Sequence, residues 1–165
     1  SMSGKTVEVV HTDAEGRLIL ADALTYAQKH YTPQAMLDVA TLTGASMAAL
    51  GQQASAIMGN GDAIQQALVD LSEAAGDRVW PFPLWDEYKA LLKNARADLS
   101  NMHPGYSRYG GCIEGGAFLS HFVSDDVPWA HIDIAPRMES IATDKLAKGA
   151  TGEPVRLLVR FVETY

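Results

Sequence analysis

A chain of 165 residues with 47% hydrophobic and 20% charged side chains can bury a substantial core and reads as an ordinary globular protein. Thirteen basic against 20 acidic residues give a net charge of −7 with no Lys/Arg block, which argues against a nucleic-acid surface. Cys112 is the only cysteine, which excludes an internal disulfide and a thiolate metal cluster and suits a reducing cytoplasm. No stretch reads as a signal peptide or membrane span, because the longest apolar candidate, 35–50, is broken by Asp38, threonines and Gly44.

In chain order, residues 6–10 alternate branched apolar and polar side chains, which predicts a strand. Ser1 reads as a cloning remnant, and a strand with nothing before it to pair with reads as a piece of a longer protein. Apolar residues recur at helical spacing over 17–30 (Leu18, Ala21, Leu24, Ala27), and Tyr31-Thr32-Pro33 stops that helix. Residues 36–41 are a short apolar run, the pattern of a buried strand. They end in Leu42-Thr43-Gly44-Ala45, where small residues let a backbone approach a ligand. A helix is predicted over 63–75 with Gly76 as its C-cap, another over 85–99 after Pro81-Phe82-Pro83, and a loop over 101–111. Residues 112–123 predict a helix in which Gly115 and Gly116 serve close packing. The alternating run 129–135 predicts a central strand, and Pro154 opens a last helix at a tolerated position. Strands separated by helices give an α/β layered sheet. Ligands of such sheets gather beyond strand carboxyl ends, which nominates the loops 11–17, 42–45 and 135–138.

The first of these loops, His11-Thr12-Asp13-Ala14-Glu15-Gly16-Arg17, has two readings. Thr12 and Glu15 match a capping box at the start of the helix. Gly16, however, costs about 1 kcal/mol against Ala inside a helix, and Arg17 puts a cation at the positive end of the dipole. The chemical reading gives both a purpose. Two carboxylates two positions apart can address one hard divalent cation, Gly16 lets the chain come close, and Arg17 offers a fixed positive charge to an anion. Two carboxylates do not fill a coordination shell, so further ligands are needed. His131 and Asp133 share a strand face and form either a second ligand pair or a self-satisfied core pair. Asp38 reads as a structural acceptor, and His103 and Glu114 have no assigned role. Cys112 is either packed or a thiol nucleophile.

The run Thr12-Asp13-Ala14-Glu15-Gly16-Arg17-Leu18 resembles the signature of the leucine aminopeptidase family of cytosolic metallopeptidases. The resemblance continues through 2–9, 38–45, 76–80, 129–135 and 148–152 in family order, and so covers essentially the whole chain. It implies a three-layer α/β/α sandwich with a mixed sheet, incomplete at its N-terminal side. It implies hydrolysis of N-terminal residues from peptides by water activated between two divalent ions, zinc or manganese and possibly magnesium. By resemblance Asp13 and Glu15 are metal ligands, and Arg17 is catalytic through a bicarbonate-like anion. The carbonyl of Leu42 accepts a bond from substrate, while Thr41, Gly44, Ala135 and Met138 line the pocket for the first side chain. His131 and Asp133 become structural. A cytoplasmic homohexamer without membrane or nucleic-acid partners is implied as well.

The departures qualify this. The family's site also uses a lysine and two aspartates as ligands, and a second catalytic lysine, from a segment upstream of Met2. The family's separate N-terminal domain has no counterpart in the chain either. Residues 1–165 are therefore expected to be the C-terminal portion of the catalytic domain, binding metal weakly and inactive alone. The rival expectation is a non-catalytic assembly or binding domain of the same ancestry. His11 stands where asparagine is usual, and Arg137 is a bulky insertion expected to point to solvent rather than to bias the pocket toward acidic substrates.

Overall fold

The alternation of strand and helix is present in a computed structural model that describes residues 1–105 and 109–165. The order is β1 (Val7–Glu8), α1 (Gly16–Tyr31), β2 (Met36–Ala40), α2 (Gly44–Leu50), β3 (Ser55–Gly59), α3 (Asp62–Ala75), β4 (Val79–Pro81), α4 (Asp86–Ala90), β5 (Leu99–Ser100), α5 (Gly111–Ser120), β6 (Trp129–Asp133) and α6 (Val155–Thr164). Tyr106, Ser107 and Arg108 of the expected 101–111 loop lie outside the described residues.

Four strands form one mixed sheet in the order β2-β6-β3-β4. β2 runs parallel to β6 with Asp38 opposite His131, β3 runs antiparallel to β6, and β4 runs parallel to β3. The carboxyl ends of β2 and β6 therefore open on the same side of the sheet. Alternation along β6 divides the core in two. Ala130 and Ile132 pack with Ile57 against Leu68 of α3 and Leu157 and Phe161 of α6. Trp129 faces the other way, into a cluster with Leu24 of α1 and Phe118 of α5. Helices thus cover both faces, the α/β/α arrangement expected.

α5 lies close against what it covers. A Cβ on Gly116 would come within 2.9 Å of Met58 Sδ, and one on Gly115 within 2.9 Å of Leu42 Cδ2. The expectation that these two glycines serve close packing holds, and it places the helix directly beneath the 42–45 loop.

Two expectations fail for physical reasons. The helix predicted over 85–99 stops at Ala90. The Asn94 amide is spent on Glu8 and Ser100, its carbonyl accepts Arg96 N at 2.7 Å, and Ser100 N returns to Leu92 O at 2.8 Å. The chain turns back so that Leu99 and Ser100 can pair in parallel with Val7 and Glu8. The strand predicted at 6–10 has a partner after all, and only 7–8 is paired.

Candidate active site

A 3₁₀ turn over Thr12–Ala14 carries the chain from β1 into α1. The capping box does not form. The His11 ring accepts Asp13 N through Nδ1 at 3.3 Å, and Glu15, at the N-cap position of α1, makes no side-chain cap bond. The turn is instead pinned from outside by Asn101, which is fully buried. Its Oδ1 accepts Val10 N at 2.9 Å, and its Nδ2 donates to His11 O at 2.7 Å and Ala14 O at 3.3 Å. With their backbone so held, the Asp13 and Glu15 side chains stay exposed, and no described protein group hydrogen-bonds either carboxylate.

Arg17 behaves in the opposite way. It is 3% exposed, its Nη1 donates to Asn101 O at 2.7 Å, and its Nε has no protein partner. Burial pushes the guanidinium below its ordinary pKa, while the charges of Glu114 and Asp133 oppose that shift. The cation disfavoured at a helix start is thus turned inward, away from the dipole.

The second loop hangs from β6. Asp133, fully buried, accepts Leu42 N at 3.0 Å, Thr43 N at 3.1 Å, Thr43 Oγ1 at 2.7 Å and Ala135 N at 3.2 Å. Thr43 in turn caps α2 by accepting Ser46 N at 3.2 Å. One carboxylate therefore fixes the carboxyl ends of both β2 and β6.

The first two loops face each other across two neighbouring hollows. One, of about 340 Å³, is lined by Asp13, Arg17, Leu42, Thr43, Gly44 and Gly111 among others. The other, of about 440 Å³, is lined by Asp13, Glu15, Arg17, Thr41, Leu42 and Gly44 among others. Six of the eight expected site residues meet here. Ala135 is buried behind Asp133, and Met138 is 47% exposed; neither lines the hollows.

The donor set suits hard divalent cations in part. Asp13 and Glu15 supply unpartnered carboxylate oxygens on one wall, but no described group of three or more His, Cys, Asp or Glu is arranged to hold a metal. The buried guanidinium with an unused Nε suits an anion.

Residues 1–159 match the catalytic domain of the cytosol aminopeptidase family. The chain belongs to that family. It is 50% identical over 163 residues to a probable cytosol aminopeptidase of Xanthomonas oryzae pv. oryzae, covering 98% of this chain and 31% of that protein. It is 48% identical over 162 residues to the probable cytosol aminopeptidase of Dechloromonas aromatica, again covering 98% and 31%. Among solved structures, a lysine-to-glutamate mutant of tomato leucine aminopeptidase matches with a TM-score of 0.89 at 40% identity, over 98% of this chain and 30% of that one. The chain thus spans about a third of the length of the family members it matches.

Within this cytosol aminopeptidase domain the remaining candidates sort themselves. His131 Nδ1 shares a 2.6 Å hydrogen bond with Asp38 Oδ1, and Trp129 Nε1 donates to Asp38 Oδ2 at 2.6 Å. His131 is fully buried, bonded to Asp38 within the core, and lines neither hollow. Asp38 is the structural acceptor expected. Arg137 does not point to solvent. It is buried, with Nε on Glu153 Oε1 at 2.7 Å, Nη1 on Gln52 O at 2.6 Å and Nη2 3.1 Å from Asp144 Oδ2. Two carboxylates compensate the desolvation of one guanidinium, and burial pushes the Glu153 carboxyl up against the pull of Arg137. Cys112 is buried, and burial, with the charge of Asp133, pushes its thiol up to about 12, the opposite of what a nucleophile needs. The sequence reading missed the pinning role of Asn101, which acts across more than 80 residues where no local pattern marks it; Glu114, left unassigned, is buried on α5.

Proposed function

We propose that this domain is the C-terminal portion of a metalloaminopeptidase catalytic domain. In this reading it contributes Asp13 and Glu15 to a two-metal site that removes N-terminal residues from peptides. The observation that carries the reading is the pair of unpartnered carboxylates on the same wall as a buried, incompletely bonded arginine. A divalent pair, zinc or manganese and possibly magnesium, would supply a polarised carbonyl and an acidified water when bound.

The chain's own residues would do the rest. Asp13 and Glu15 offer hard oxygen donors from a turn that Asn101 keeps rigid. Arg17, unable to lose its proton near neutrality, offers a fixed positive charge beside the hollows to a bicarbonate-like anion or to an oxyanion formed during hydrolysis. The Leu42 carbonyl, held because its own N–H is fixed to Asp133, would accept a bond from the substrate backbone. Thr41 and Gly44 would border the first side chain. A peptide-processing homohexamer in the cytoplasm is the setting this reading implies.

Two carboxylates do not make a complete site, so the 165-residue chain alone binds metal weakly and has no appreciable peptidase activity. The test is hydrolysis of leucine p-nitroanilide, with metal content measured alongside, for the isolated chain and the longer parent. The parent turns over, its Glu15→Gln variant loses metal and activity together, and the isolated chain is silent. Turnover by the isolated chain that Glu15→Gln abolishes would overturn its inactivity. A fully active Glu15→Gln parent would overturn the ligand assignment.

A further inference from the structure

A third hollow, of about 490 Å³, shares no residue with the two between the loops and falls in the size range of small-molecule sites. One wall is the start of α3, with Asp62, Gln65 and Gln66. The other is the run from β4 into α4, with Phe82, Pro83 and Trp85. Gln65 donates its amide to Gly59 O at 3.3 Å, and Gln66 donates its amide to Asp70 Oδ1 at 2.8 Å, so the oxygen of each is left over. No described group hydrogen-bonds those two oxygens or the Asp62 carboxylate, and no Lys, Arg or His among the described residues lines the hollow. On the other wall, Phe82 N is spent on Ile57 O at 2.9 Å, and Pro83 has no N–H to give. Trp85 is 61% exposed, its ring stacked on Tyr88 with 5.9 Å between centroids.

An acid in the first turn of α3 offsets the helix dipole, which accounts for Asp62 alone. It does not account for two unspent acceptors beside that acid and an indole left in water on the other wall. A surplus of acceptors calls for a donor, and an exposed aromatic ring calls for an apolar body or a cation. We infer that this hollow binds an organic cation, an ammonium or guanidinium head on a short apolar stem. Asp62 and the oxygens of Gln65 and Gln66 receive the head, while Phe82, Pro83 and Trp85 receive the stem. A net charge of −7 favours such a ligand over an anion. The site needs nothing from the proposed metal centre.

The test is titration of the 165-residue chain with butylammonium chloride, followed by the ¹H–¹⁵N signals of the Trp85 indole and the Gln65 and Gln66 side-chain amides. These signals move saturably, with an affinity on the order of millimolar for so small a ligand, and neither 1-butanol nor butyrate saturates them over the same range. Asp62→Asn weakens the binding about threefold, and Trp85→Leu weakens it about threefold as well. Asp62→Lys, which brings a cation of the chain's own into the hollow, abolishes it. A lysine side chain presented as acetyl-glycyl-lysyl-glycine amide separates the two sources of such a head. Tighter binding than butylammonium assigns the site to peptide side chains, and equal or weaker binding assigns it to free amines. Equal binding of 1-butanol and butylammonium overturns the inference, as does the absence of any saturable shift. Butylammonium binding that neither Asp62→Asn nor Trp85→Leu alters overturns it too.

Discussion

Two sets of carboxylates divide this molecule. Asp133 collects four donors, Asp38 holds an indole and an imidazole, Asp77 holds Arg156 Nε at 2.9 Å and Leu157 N at 3.0 Å, and Glu153 holds Arg137. Asp13 and Glu15 hold nothing, and they stand exposed on one wall of the hollows. The chemistry of the side chains is the same. What differs is whether the fold has consumed their lone pairs. An acid whose oxygens are all engaged is a joint, and an acid presented with its oxygens unused is available to a ligand.

The contrast can be broken or sharpened at three points. Asp133→Ala leaves buried backbone and hydroxyl donors of Leu42, Thr43 and Ala135 without an acceptor. It should cost about 3 kcal/mol or more in urea unfolding; a cost near zero would remove Asp133 from the joints. Asp144 is a milder case. The Ile141 backbone N–H, and after it Arg137, hold its carboxyl below the ordinary range. A folded-state pKa below the unfolded one gives stability that is present above the unfolded value and lost as pH falls through the folded one. Thermal unfolding scanned downward from about pH 4 should therefore fall less steeply for Asp144→Asn than for the parent chain. The smallest effect belongs to the other set. Asp13→Asn and Glu15→Gln should each leave stability within about 0.5 kcal/mol, since no bond within the protein is lost. A large loss in either would make these acids structural.

Much of the fold was legible because its elements are amphipathic over many residues. The helix expected over 17–30 is α1, 63–75 is α3 almost to the residue, and the strand readings at 36–41 and 129–135 are β2 and β6. β3 was passed over because Ser55-Ala56-Ile57-Met58 is buried on both faces and shows no alternation. β4 was hidden by ending in Pro81, at the edge of the sheet where a missing N–H is tolerated. The loop expected over 42–45 instead opens α2 at Gly44, since the small residues that suit a backbone approach also suit a helix start capped by Thr43. At the site, Asp13, Glu15 and Arg17 stood out by their chemistry and spacing, and the structure gathers them with Thr41, Leu42 and Gly44. The supports did not stand out. Asn101 lies 84 to 91 residues from the groups it pins, and Asp133 lies 90 to 91 residues from Leu42 and Thr43, and a linear pattern contains no record of that. Arg137 shows the limit most clearly, because surface statistics favour solvent for an arginine, whereas Glu153, Asp144 and Gln52 together make burial affordable.

The bonds from Leu42 and Thr43 to Asp133 also set a clock. Their amide hydrogens are tied to the end of the most deeply buried strand, so they can exchange with solvent only when that strand lets go. The floor of the hollows consequently breathes with the core of the sheet and on its slow timescale. The turn bearing Asp13 and Glu15 is fastened instead to the Asn101 side chain, outside that sheet.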